Sequence, residues 1–390
     1  MKTLKKYGFF LLPLLFIVNG FVAYAQVAKG EAELQKMMQD LKVVGLSVAV
    51  VKNGEIIYSN AFGQKNIEKN TKLTSSDIFR IASISKSFCA TAVMQLVEAK
   101  KLKLEDNVSD LVGFKVVNPN FPDKVITLKM LLSHTSSLND SDGYFNFDMI
   151  DPAKNEGRTK CYSKYEPGSE YKYCNLNFTL IGAIVERASG MRFDNYIKKN
   201  IIDPLGLNAG YNVDSLDSNK FATLYTYDKK TETFNESKTA YRPNRNVWNN
   251  YQLGYSAYSF SPTGGMKISA IDLAKYMTMH MNYGVYKGKR IISETSAKLM
   301  QKGVVKVGDE EEYAFAIRRV KSNDIADGNL LVGHTGSASG LYSTMFFNPE
   351  KKFGMVLIST GSLPDNHEGA VRFRKVLSEG MNILYRNFIK

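Results

Sequence analysis

Ser83-Ile84-Ser85-Lys86 sets an amine three positions after a hydroxyl, and Lys86 is the only charged side chain between Ile81 and Val97. The run after it, Phe88 to Val97, is apolar or small enough to predict a helix buried on most sides, where an ammonium without partners is costly. A desolvated lysine gives up its proton more easily than one in water. Residues three apart share a helix face, so Lys86 is placed to act as base for a Ser83 nucleophile. Such chemistry also needs a proton relay and donors for a developing oxyanion. Tyr173-Cys174-Asn175 is the relay candidate. In an extended segment Tyr173 and Asn175 point to one side and Cys174 to the other. His334-Thr335-Gly336-Ser337 closes an apolar strand pattern. Glycine at 336 allows a substrate backbone to approach, and the strand edge beyond it can pair with an extended acyl group. The Ser83 and Ser337 amides, aided by the positive end of the Ser83 helix, would then form the oxyanion hole.

Competing copies of these patterns read differently. Ser169-Glu170-Tyr171-Lys172 follows the turn Glu166-Pro167-Gly168 in a polar stretch, where a lysine is solvated. Tyr-x-Asn also begins at Tyr58, Tyr144 and Tyr385, but only Tyr173 stands between a Pro-Gly turn and an apolar helix pattern. Ser137-Leu138-Asn139 is a rival Ser-x-Asn element. His334 alone reads more simply as a strand-end histidine than as a catalytic group.

The elements that must position these residues fall into two sets. A short helix around Glu31 to Leu41 precedes two strands, Leu46 to Lys52 and Glu55 to Gly63, joined by the hairpin signal Asn53-Gly54. From Ile78 to Met281 helical patterns dominate: the Ser83 helix, Leu128 to Leu132, Leu176 to Ala188 and Ala270 to Met281. The region from Gly210 to Gly265 is rich in Tyr and Asn, contains the sole tryptophan, Trp248, and reads as long loops of the kind that line binding sites. Strand patterns return at Tyr313 to Val320, Leu330 to Thr335, Leu341 to Phe347 and Phe353 to Ser359, before an amphipathic helix from Ala370 to Ile389. Their short connections predict an antiparallel sheet. The expected fold is α+β: that sheet flanked by N- and C-terminal helices, with an inserted helical lobe over 78–282 and a sheet lobe from 26–77 and 283–390.

The first 25 residues resemble a secretory signal. Lys2, Lys5 and Lys6 precede an apolar stretch from Phe9 to Val18, and Ala23-Tyr24-Ala25 is a small-residue cleavage site. The expectation is a secreted or periplasmic chain starting near Gln26, with an uncleaved membrane anchor as the alternative. The 390-residue chain is 44% hydrophobic, ample for a large core, and carries a formal charge of +13. Its lysines are scattered, with no nucleic-acid module, so nucleic acid is not an expected partner; anionic cell-envelope polymers are. Three cysteines are too few for a disulfide scaffold. Cys89 reads as a small buried residue, whereas Cys161 and Cys174 could pair in an oxidising compartment. The four histidines are scattered without metal-ligand spacing, so no metal is expected, and the serine chemistry requires no cofactor.

In this order the three elements resemble the penicillin-recognising serine hydrolases, specifically the class C β-lactamase and DD-peptidase superfamily. The likeness runs from about Val43 to Leu384. It includes Phe79-Arg80-Ile81-Ala82, Leu131-Leu132-Ser133-His134-Thr135-Ser136, Glu166-Pro167-Gly168, Asp203-Pro204-Leu205-Gly206-Leu207 and Ser261-Pro262-Thr263-Gly264-Gly265. The resemblance implies Ser83 as nucleophile, Lys86 and Tyr173 as its base network, Asn175 as a ligand of the substrate amide, and His334 to Ser337 as the substrate-binding strand. Most class C β-lactamases carry Lys-Thr-Gly where this chain has His334-Thr335-Gly336. A permanent charge that would help bind a β-lactam carboxylate is thus replaced by a group near neutrality, which argues against efficient β-lactamase activity. Peptidoglycan-type D-amino-acid peptides come first among expected substrates, then small esters, then β-lactams. An esterase or D-aminopeptidase of the same fold is the alternative, and a non-hydrolytic cell-wall or penicillin-binding protein of that fold is the reading from another class. A Gly-x-Ser-x-Gly α/β-hydrolase is excluded, since that elbow is absent and the sheet pattern is antiparallel.

Overall fold

The computed structural model describes residues 11–242, 249–364 and 373–390, with side chains described from residue 25. Trp248 and the expected helix start at Ala370 lie outside the described residues. Nine strands form one antiparallel sheet. In chain order these are β1 (Gly45–Lys52), β2 (Glu55–Asn66), β3 (Thr71–Lys72), β4 (Val305–Gly308), β5 (Glu311–Tyr313), β6 (Arg318–Val320), β7 (Leu331–Ala338), β8 (Leu341–Asn348) and β9 (Phe353–Thr360). Their order across the sheet is β4-β5-β6-β7-β8-β9-β1-β2-β3, so the chain's two ends meet where β1 pairs with β9. The β1–β2 turn carries Asn53 and Gly54 at φ 54° and 84°. Asn-Gly tolerates that left-handed geometry, which matches the twist of the two strands.

Each sheet face is covered separately. On one face lie α1 (Leu11–Asp40) and α5 (Lys375–Leu384), with Leu34, Met37, Leu377 and Met381 packed against Val48, Val50, Met355 and Leu357. On the other, α4 (Ala270–Met281) lies over β9 and β1 and leads into the core shared with α2 (Ser85–Glu98) and α3 (Leu176–Ser189). The expected α+β architecture is therefore the observed one. Every residue of α2 from Ser85 to Met94 is buried, which matches its lack of a polar face.

Four expectations about elements and cysteines are corrected. Tyr313 to Val320 is not one strand but the hairpin β5–β6, turned at Ala316 (φ 55°), where the Ala314 amide reaches the Ile317 carbonyl at 2.8 Å. Residues 314–317 are apolar and fully or almost fully buried, and a buried turn leaves the same mark in a sequence as a buried strand. The N-terminal helix begins well before Glu31, and α5 begins at Lys375. All three cysteines are free thiols: Cys174 donates to Asp140 (3.3 Å) and Cys161 to the Met149 carbonyl (3.7 Å). Among the described residues, no helix is long and apolar enough to cross a membrane, and no group of His, Cys, Asp and Glu could hold a metal ion.

Candidate active site

Ser83 sits in a 3-10 turn, Ala82–Ile84, that runs directly into α2. The turn is clamped from two sides. The Ile81 amide bonds to the Met266 carbonyl (3.0 Å), the Ser85 hydroxyl donates to the Ala82 carbonyl (2.6 Å), and the Met266 amide donates to that same hydroxyl (3.0 Å). From the sheet, the Ser343 hydroxyl donates to the Ile81 carbonyl (2.9 Å). Gly336 of β7 is what admits this contact, because a β-carbon there would stand 2.2 Å from the Ile81 oxygen. The glycine thus accommodates the nucleophile's own segment, rather than the substrate backbone expected from sequence. Ala82 is held at φ 48°, a strained conformation for a residue with a β-carbon. Within Ala82–Phe88 only Ser83 keeps partial exposure.

Lys86 is completely buried. Its Nζ lies 2.7 Å from the Thr263 carbonyl, 2.9 Å from Asn175 Oδ1 and 3.2 Å from Ser83 Oγ. Burial pushes the amine down to about 7; Cys89, Asp140 and Cys174 oppose the fall weakly and the Arg80 charge adds to it. The first two contacts are to pure acceptors and take two N–H groups. A neutral amine has two N–H groups and one lone pair, and the third direction points at the Ser83 hydroxyl.

Asp140 sets this arrangement and was not recognised from sequence. Its carboxylate accepts from the Asn175 amide (2.9 Å), the Leu176 amide (3.0 Å) and Asn175 Nδ2 (2.9 Å). It therefore caps α3 from outside the helix and orients the Asn175 side chain, so that Oδ1 faces Lys86. The rival element Ser137-Leu138-Asn139 immediately before it is structural: Ser137 accepts from Asn118 (2.9 Å) and Asn139 ties its own turn through Ser141 (2.9 Å). The second Ser-x-x-Lys copy leaves Ser169 and Lys172 exposed.

The Tyr173 ring lies beside Lys86, with Nζ 5.0 Å from its centroid. Burial pushes the phenol well up, and the Ser83 hydroxyl draws it back down. Among the described residues no group stands at full hydrogen-bonding geometry to the Tyr173 hydroxyl. His134 packs against the same ring (centroids 4.3 Å apart), its Nδ1 facing the Cys174 amide and Asn177 Nδ2 at 3.2 Å. His334 is buried and engaged: its Nδ1 faces the Thr335 carbonyl, an acceptor only, so Nε2 is left to accept from the Tyr313 hydroxyl (3.0 Å). Burial, then the Lys86 charge, pushes His334 down to about 3, so it is neutral across the physiological range.

Ser83, Tyr173, Asn175, His334, Thr335 and Ser337 all line one cleft of about 1140 Å³, with Lys86 beneath its floor and Gly336 packed behind it. The β6–β7 pairing ends at Arg318 opposite Gly333, so from His334 onward β7 has no partner strand on that edge among the described residues. Arg318 lies at the corner this leaves, its Nη1 3.1 Å from Thr335 Oγ1 and its guanidinium paired with Glu311 at 2.5 and 2.7 Å. Phe145 and Val307, both exposed, also line the cleft.

Comparison with known proteins agrees with this geometry. The profile of the Beta-lactamase family matches residues 31–378. Protein flp of Staphylococcus aureus strain MRSA252 is 24% identical over 329 residues, covering 83% of this chain and 60% of its own length. Penicillin-binding protein 4* of Bacillus subtilis strain 168 is 32% identical over 203 residues, 48% of this chain and 43% of its own. The chain thus spans less than two thirds of either relative. Among solved structures, the octameric penicillin-binding protein homologue from Pyrococcus abyssi superposes with a TM-score of 0.71 at 28% identity, covering 86% of this chain and 73% of that one.

Proposed function

The chain belongs to the β-lactamase family of penicillin-recognising serine hydrolases, and from that premise we propose that it cleaves an amide or ester through an acyl-enzyme on Ser83. The observation that carries the proposal is the buried Lys86 amine, pushed to about 7 and 3.2 Å from Ser83 Oγ. Its lone pair takes the hydroxyl proton as Oγ bonds to the substrate carbonyl carbon and the carbonyl π pair moves onto oxygen. The Ser83 and Ser337 amides stabilise that oxyanion. Collapse breaks the bond to the leaving amine or alcohol, which is protonated through the Tyr173 hydroxyl, itself reprotonated from Lys86. Water then attacks the acyl carbonyl by the reverse relay, releasing the acid and free Ser83. Asn175 holds the substrate amide and Thr335 to Ser337 pair with its extended backbone along the open β7 edge.

The substrate class the reading favours is a peptidoglycan-type D-amino-acid peptide, cleaved as by a DD-carboxypeptidase. The names of the penicillin-binding relatives and an open strand edge suited to an extended peptide support it. An esterase of the same fold is favoured by one observation, the neutral His334, which gives the cleft no fixed cation at that position. Export through cleavage after Ala25 belongs to the same proposal. The part of α1 that docks on the sheet, around Leu34 to Met38, lies beyond that point, and a basic exported enzyme would meet anionic wall polymers. Release of D-alanine from a peptide ending in D-Ala-D-Ala, measured beside hydrolysis of a p-nitrophenyl ester, separates the two substrates. Loss of both with Ser83→Ala is expected, and turnover surviving that change would overturn the assignment.

A further inference from the structure

Arg80 lines the cleft three residues before the nucleophile, yet no carboxylate of the described residues pairs with it. Among the described residues its side chain makes one hydrogen bond, from Nε to the Gly264 carbonyl (2.8 Å), and the terminal nitrogens, on a residue that lines the cleft, make none. The surroundings supply amines rather than acids. Directly across the short ladder Phe79–Arg80 with Lys267–Ile268 stands Lys267, whose Nζ turns away to the Tyr211 carbonyl (2.6 Å), and Lys86 is close enough to feel the Arg80 charge. The acids nearby are already engaged: Asp140 by the start of α3, Asp77 by Lys65 (2.5 Å) and Thr74 (3.0 Å). Arg318, the cleft's other arginine, is matched by Glu311. A mostly buried guanidinium without a counterion is unfavourable, and its planar fork suits a carboxylate. Tyr144, Ser237 and Thr239, which line the cleft as well, add hydroxyl groups.

We propose that Arg80 is an anion subsite and that the substrate presents a carboxylate to it, apart from the bond that is cleaved. The inference deepens the hydrolase reading by naming an acidic peptide or acidic ester as the substrate class, and it rests on that reading for which bond is cut. Binding can be measured without turnover, by calorimetry on the full chain carrying Ser83→Ala. The ligands are glutaryl-D-Ala-D-Ala and its two monoamides, one amidated at the glutaryl carboxyl and one at the C-terminus. At least one carboxylate is expected to tighten binding about tenfold to a hundredfold over its amide, the range for hydrogen bonds to charged groups. Adding Arg80→Gln should erase that ratio, while Arg80→Lys keeps part of it. Equal affinity for the diacid and both monoamides would overturn the subsite without reference to any Arg80 variant, and so would an undiminished ratio in a folded Arg80→Gln chain. Failed hydrolysis in the Ser83-intact chain would instead count against the enzymatic proposal, so the two failures are distinguishable.

Discussion

Lys86 and Lys267 form an instructive pair. Both amines are buried, at 0% and 7% exposure, neither touches a carboxylate of the described residues, and burial brings both down to about 7. Arg80 adds to the fall at each. They differ in what the lone pair meets. Lys267 donates to the Tyr211 carbonyl and does not line the cleft, whereas Lys86 faces the hydroxyl of the only partly exposed residue in its turn. Burial by itself makes a base; an accessible proton donor beside it makes a site.

The sharpest way to break this comparison is to remove each amine in turn. Lys86→Met should lower kcat/KM by about 10²–10⁴-fold, the usual contribution of a positioned base, whereas Lys267→Met should keep activity within a few-fold. Equal losses in steady-state assays would mean that Lys86 acts only through packing. Gly336→Ala comes next. Its β-carbon would collide with the Ile81 carbonyl and the Ser343 hydroxyl, so the Ser83 turn must shift, and a loss of about a hundredfold in kcat is expected even in protein that stays folded by circular dichroism. Asp140→Asn should follow, with about 1 kcal/mol of stability lost from the α3 cap and a further drop in kcat as Asn175 loses its orientation. Wild-type kcat beside a lowered thermal midpoint would reduce Asp140 to a cap alone.

The smallest effect is on stability against pH. Each amine falls from 10.5 in the unfolded chain to about 7 in the folded one. Between those values the unfolded chain binds more protons, so stability rises with pH across roughly 7 to 10.5. Either methionine variant should flatten that rise by a comparable amount in denaturant titrations, since for stability the two lysines are equivalent even though for chemistry they are not.

The contrast also explains what was legible in the sequence. Lys86 stood out because one charge in a long apolar run violates local expectation, and its partner Ser83 is one helical turn away. Lys267 gave no such signal, since Met266-Lys267-Ile268 is a short segment whose burial arises from a ladder with residues nearly two hundred positions earlier. Asp140 was illegible for the same reason: it is an ordinary acid in a turn-like Asn-Asp-Ser stretch until α3 is brought to it from 35 residues on. The strands β1, β2, β7, β8 and β9 were readable from alternation, apolar runs and turn residues, whereas the β5–β6 hairpin was not, because its turn is as apolar as its strands. Gly336 was correctly singled out for close approach, but only the folded chain identifies Ile81 as what approaches.

The most direct test of the central claim is the rate at which an uncharged fluorophosphonate labels the protein, read by intact mass across pH 5 to 10, for wild type, Lys86→Met and Lys267→Met. One adduct should form on Ser83, at a rate rising through about pH 7 in wild type and in Lys267→Met, and slow with no such rise in Lys86→Met. Labelling of Ser83 that is equally fast in Lys86→Met, or an adduct that persists in Ser83→Ala, would contradict the account.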